Sequence, residues 1–178
     1  MNRKDFFWKL AYLAMAFGVF MIDQTTKAWA IRRLRPPTGS DKEIIPNFLN
    51  FIYAQNTGVA FSLFDEHGNA GRFGLSIVAI IAGVLVLFYF WRVSGTHDRL
   101  LGALALLLAG IAGNVTDRLQ LGFVIDFIDV QFGAWHYPTF NVADAAICAG
   151  AGLLILDMIL SGRRQKTEAR RQKLEDRS

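Results

Sequence analysis

The chain has 178 residues, 53% of them hydrophobic and 19% charged, and its mean hydropathy is +0.30. The charged share lies below the roughly 25% of a soluble domain, which excludes a disordered or secreted soluble chain, and the length suits one compact unit. The net charge of +4 is unevenly placed: Arg163, Arg164, Lys166, Arg170, Arg171, Lys173 and Arg177 crowd the last sixteen residues.

In chain order, the first apolar stretch is the shortest. Leu10 to Ile22 follows Arg3, Lys4 and Lys9. That layout fits a cleavable signal segment, and Ala28-Trp29-Ala30 matches a small-x-small cleavage pattern. Asp23-Gln24-Thr25-Thr26-Lys27 intervenes, however, and Asp23 and Lys27 stand in the acid-first i,i+4 order that suits a helix. One retained helix over residues 10–30 is therefore expected. Residues 73–91 carry no charge between Arg72 and Arg92; at ~1.5 Å per residue they reach about 28 Å, close to the ~30 Å of a hydrocarbon core. Residues 100–116 and 141–160 complete four spans, followed by a basic tail at 163–178.

Two segments join the spans on one side. Residues 32–71 contain Pro36-Pro37 and then, from Ile44 to Ala54, a run rich in Phe, Ile and Tyr. Residues 119–140 contain a second such run, Phe123 to Phe132. Both read as short strands or interfacial structure. Four spans place both termini together, on the side that holds twelve of the 19 Lys and Arg residues. The positive-inside rule then makes the termini cytoplasmic, against the opposing vote of Arg32, Arg33 and Arg35. A basic tail directly after an apolar span is read as touching anionic headgroups, or as a solvated helix that fixes topology, and not as a nucleic-acid binder. No internal repeat occurs.

Out-of-place polar residues gather toward the opposite, outer face: Asp23 and Lys27, Asn56, Asn114 with Asp117 and Arg118, Asp126 with Asp129, and Asn141 with Asp144. Asn114 and Asp117 are i,i+3, as are Asn141 and Asp144, so each pair shares a helix face. Such groups face protein or water, which predicts a shared polar pocket. His67, His97 and His136 are scattered and no H-E-x-x-H or Cys/His spacing occurs, so neither a metal nor a cofactor is expected. Cys148, the single cysteine, lies in an apolar run without a neighbouring base and is read as a small core residue. The surplus is in carboxylates. Two aspartates held close share a proton, one serving as base on a water while the other, protonated, polarises a carbonyl.

Each residue also has a plainer reading. Asp23 and Lys27 suit an ion pair between helices, and Asp117-Arg118 suits a helix end that pairs locally. Asp144 suits the helix macrodipole, Asp126 an ordinary surface position, and Asp157 a partner for Arg163 or Arg164. Physics alone leaves these open.

Five blocks carry a resemblance: Asp23-Gln24-Thr25-Thr26-Lys27, Asn56-Thr57-Gly58-Val59-Ala60-Phe61, Gly113-Asn114-Val115-Thr116-Asp117-Arg118, Val124-Ile125-Asp126-Phe127-Ile128, and Phe140-Asn141-Val142-Ala143-Asp144. In this order, between four spans, the chain resembles lipoprotein signal peptidase, also called prolipoprotein signal peptidase or signal peptidase II. Thr116 departs slightly, since the family has an apolar residue there; it is expected to face away from Asn114 and Asp117. The resemblance implies an all-α membrane protein with a small extracytoplasmic β-sheet, much of it from Ile44 to Leu63, and a short interfacial helix. It implies one peptidase unit over 1–178, in the bacterial cytoplasmic (inner) membrane, with Asp126 and Asp144 as catalytic pair. Asn56, Gly58, Asn114, Asp117, Arg118, Asn141 and Ala143 would line or support the site, and Asp23 and Lys27 would be structural. The implied reaction removes the signal peptide of diacylglyceryl-modified prolipoproteins before the lipidated cysteine of the lipobox. Membrane lipids and cyclic peptide antibiotics such as globomycin are the other implied partners. Because Asp126 comes from a loop and Asp144 from a helix, loop position is expected to govern their separation. A proton-coupled transporter or a non-catalytic scaffold are the rivals; the one-sided placement of the acids and the lack of a repeat disfavour the first.

Overall fold

A computed structural model describes residues 3–58 and 69–175. Its elements are α1 (Arg3–Leu34), β1 (Lys42–Ile45), β2 (Leu49–Asn56), α2 (Asn69–Arg92), α3 (Asp98–Gln120), β3 (Val124–Phe132), β4 (Trp135–His136) and α4 (Val142–Glu175). All four helices are long and apolar enough to cross a membrane. They outrun the expected spans because nothing stops them at the bilayer edge. The tail after Gly162 contains Lys, Arg, Gln, Glu and Ala, all good helix formers, so α4 continues to Glu175.

Helix α3 is the axis of the bundle; α1, α2 and α4 all pack on it. Against α4 it presents Ala103, Leu107 and Gly110, facing Ala143, Ile147 and Gly150, and the alanines and glycines among them bring the backbones together. Against α2 it buries Leu101 and Leu104 around Phe90 and Val93. At the terminal side Lys9, 3% exposed, donates its ammonium to the Trp91 carbonyl at 2.7 Å, satisfying a free carbonyl at the end of α2.

The sheet has the order β1-β2-β3-β4, all antiparallel. Asn56, Gln55 and Ala54 pair with Val124, Ile125 and Asp126, and an extra residue in β2 between Phe51 and Ala54 shifts the register. On β3, Ile125 and Phe127 pack on Ala30 and Leu34 of α1. Alternation turns Asp126 to the other face. Backbone bonds between Phe140 and both Phe127 and Ile128 fasten the start of α4 to β3, at 2.9 to 3.1 Å. Residues 59–63 of the expected sheet segment lie outside the described residues, as does His67. A short interfacial helix is not among the described elements.

Two expectations are corrected. Cys148 is exposed; Ala143, Ala146 and Gly150 occupy the buried side of the same helix. Asp157 pairs with Arg99 at the start of α3, at 3.4 Å, a partner on another helix.

Candidate active site

The first turn of α4 is built by its own sequence. Asn141 accepts the Asp144 N–H on Oδ1 at 2.9 Å, and Asp144 accepts the Asn141 N–H on Oδ2 at 3.2 Å. This reciprocal capping box satisfies two N–H groups that a helix leaves open. It also aims both side chains. Asn141, fully buried, donates Nδ2 to Asp126 Oδ1 at 2.7 Å, with the Ile125 carbonyl and Asn114 Oδ1 each at 3.2 Å. From α3, Asn114 donates Nδ2 to Asp144 Oδ1 at 2.7 Å. The two carboxylates are thus joined by two buried amides, Asp126–Asn141–Asn114–Asp144. The remaining oxygen of Asp126 accepts Asn56 Nδ2 at 3.0 Å, from the end of β2. Asn56 Oδ1 in turn accepts the Gly58 N–H at 3.0 Å, in a turn where Gly58 has φ of +76° beside Leu75 of α2. The positive φ favours glycine there.

Asp126 is 2% exposed, so the surface reading is corrected. Burial pushes its carboxyl up to about 6; donation from Asn56 opposes this, the charge of Asp144 adds to it, and Asn141 and the Lys27 charge oppose it.

Beneath the pair lies a buried ionic group. Lys27 of α1 sends its ammonium to Asp23 Oδ2 at 2.9 Å, Asp117 Oδ2 at 3.0 Å and Asn114 Oδ1 at 3.1 Å, one acceptor for each of its three N–H bonds. Asp23 Oδ1 accepts the Ala143 N–H at 2.8 Å, and Asp117 Oδ2 accepts the Ile125 N–H at 3.1 Å. Gly113 makes room: a Cβ there would lie 2.5 Å from Asp23 Oδ2. The local reading of Asp117 is corrected, since α3 runs on to Gln120 and Asp117 reaches α1 and β3. Arg118 does act locally, donating to the Asn114 carbonyl at 3.4 Å. Thr116 bonds the Ala112 carbonyl of its own helix, away from the cluster.

One group escaped the sequence reading. Gln24 Nε2 lies 3.1 Å from Asp23 Oδ2, 3.2 Å from Asp117 Oδ1 and 3.3 Å from the Gly113 carbonyl. Its place between Asp23 and Lys27 was the available signal. Asp129, grouped with Asp126 by sequence, instead meets His136 Nδ1 at 2.9 Å and Asn50 Nδ2 at 2.9 Å. Burial works upward on Asp129, but donation from Asn50 and His136 and the His136 charge hold it below the ordinary range. Among the described residues no three His, Cys, Asp or Glu side chains converge as a metal site.

Four apolar helices and this polar cluster define a multi-pass membrane protein with two carboxylates gathered beside its sheet. The model of the signal peptidase (SPase) II family matches residues 15–160. A lipoprotein signal peptidase of Photorhabdus laumondii is 47% identical over 161 residues, 90% of this chain and 95% of the relative. One of Actinobacillus succinogenes is 40% identical over 89% of this chain and 96% of the relative. A solved bacterial membrane enzyme, determined by the in meso method, superposes with a TM-score of 0.73 at 30% identity, covering 83% of this chain and 92% of that one. The chain belongs to the signal peptidase II family, the lipoprotein signal peptidases, and is a membrane-embedded peptidase.

Proposed function

We propose that the chain is an aspartic endopeptidase that removes the signal peptide of diacylglyceryl-modified prolipoproteins, cutting before the lipidated cysteine of the lipobox. The observation that carries this reading is the joining of Asp126 and Asp144 by Asn141 and Asn114. Asp126, buried and facing the charge of Asp144, holds the proton that the pair shares. Asp144, accepting from Asn114 and from the Asn141 N–H, serves as the base. Asp144 takes a proton from a water as the water oxygen bonds the scissile carbonyl carbon, and Asp126 gives its proton to the carbonyl oxygen, forming a diol. On collapse, Asp144 passes its proton to the leaving nitrogen, Asp126 recovers one from the diol, and the C–N bond breaks.

Asn56 and Gly58 hold the β2 side of the site, while Asp117, Arg118 and Ala143 support it from α3 and α4. The unit spans 1–178 in the bacterial cytoplasmic (inner) membrane, with cytoplasmic termini and the dyad near the outer face. The excess of Lys and Arg on the terminal side supports this orientation. Globomycin-type cyclic peptides would occupy the same site. The test is to incubate the purified protein in detergent with a diacylglyceryl prolipoprotein and with its unlipidated form, and to map the products by mass spectrometry. Cleavage of the lipidated form alone, on the N-terminal side of the cysteine and blocked by globomycin, is expected. Cleavage elsewhere, or none, would overturn the reading.

A further inference from the structure

The ionic group around Lys27 takes no part in the bond cleavage proposed above. Lys27 is 2% exposed, Asp23 0% and Asp117 3%. Burying three charges stabilises a fold no better than apolar residues of similar size, so stability alone does not account for them. Their backbone partners do. The amide that Asp117 accepts belongs to Ile125, immediately before Asp126; the amide that Asp23 accepts belongs to Ala143, immediately before Asp144. Each carboxylate therefore holds the chain one residue ahead of one member of the dyad. Lys27 joins the two carboxylates to each other and, through Asn114, to the Asp144 side chain. Gln24 ties Asp23 to Asp117 a second time.

We propose that Asp23, Lys27 and Asp117 are positioning residues that set the separation of Asp126 and Asp144 by pinning the backbone ahead of each. The inference rests on the dyad reading. It makes the dyad spacing a property of α1 and α3, not of the β3 loop alone.

The test is steady-state cleavage of a diacylglyceryl prolipopeptide, with kcat and KM measured across pH, for Lys27→Met, Asp117→Asn and Gln24→Leu. Asp126→Asn and Asp144→Asn are run alongside, and thermal unfolding reports the folded fraction. Misplacement of a reacting group by about 1 Å costs roughly 100-fold, so kcat is expected to fall by about that factor in Lys27→Met and Asp117→Asn, with KM little changed. In Lys27→Met the alkaline limb of the pH profile should also move upward, because the ammonium no longer opposes protonation of Asp126. Gln24→Leu keeps all three charges; a smaller fall in kcat is expected of it. Unchanged kcat in folded Asp117→Asn and Gln24→Leu overturns the inference. So does a loss that merely tracks unfolded protein, with the pH limb unmoved. If the two dyad variants themselves remain active, the dyad reading has failed instead.

Discussion

Replacing Asp126 by Asn should abolish cleavage and should change stability in a direction that depends on pH. The folded-state pKa of Asp126 is raised from 3.8 to about 6. A raised carboxylate pKa means that the folded state binds the proton more tightly than the unfolded one. Its contribution to stability is complete below pH 3.8 and is lost as pH rises through about 6. At 1.36 kcal/mol per pKa unit the loss is about 2–3 kcal/mol. Asn carries no such charge at any pH, but it sets an amide against one of the donors Asn141 and Asn56, costing about 1 kcal/mol at every pH. Asp126→Asn is therefore expected to be less stable than the parent near pH 4 and more stable near pH 7.5, the difference changing by about 2–3 kcal/mol. Reversible unfolding in mixed micelles at the two pH values measures it. An unfolding difference that is the same at both would refute the assignment of a buried, reluctantly ionised Asp126.

Further outcomes follow from the same geometry. With Asp126 as the proton donor, kcat/KM should decline above an inflection near 6; the kcat limb should lie higher, because bound substrate excludes more water. Gly113→Ala should cost about 1–3 kcal/mol of stability by overpacking, since the new methyl meets Asp23 Oδ2 at 2.5 Å, and thermal unfolding reads this directly. Asn114→Ala removes the donor to Asp144 and an acceptor for Lys27; a fall in kcat of about 100-fold is expected in the cleavage assay.

The spans and strands were legible because membrane crossing and strand alternation impose composition over long windows. Residues 73–91 lack charge, and the β-branched and aromatic runs at 44–54 and 123–132 became β1, β2 and β3. Orientation within each helix was not legible. In lipid both faces of a helix are apolar, so periodicity does not separate inside from outside. Cys148 accordingly points outward, on the same helix that buries Ala146. Pairings distant in sequence were hidden as well. Asp157 has arginines close along its own helix, yet pairs with Arg99. Asp117 looks like a helix terminus until Lys27 and the Ile125 amide are brought to it. The i,i+3 spacing of Asn141 and Asp144 did carry real information, because a capping box is local and its geometry follows from the helix itself.

The central claim is that Asp126 and Asp144 act together on the scissile bond. Its most direct test is turnover of a diacylglyceryl prolipoprotein by the parent, Asp126→Asn and Asp144→Asn, each first confirmed as folded by thermal unfolding and globomycin binding. The account predicts that each substitution alone lowers kcat by at least about 100-fold, while lipidated substrate still binds. Parent-like turnover by either folded variant would contradict it.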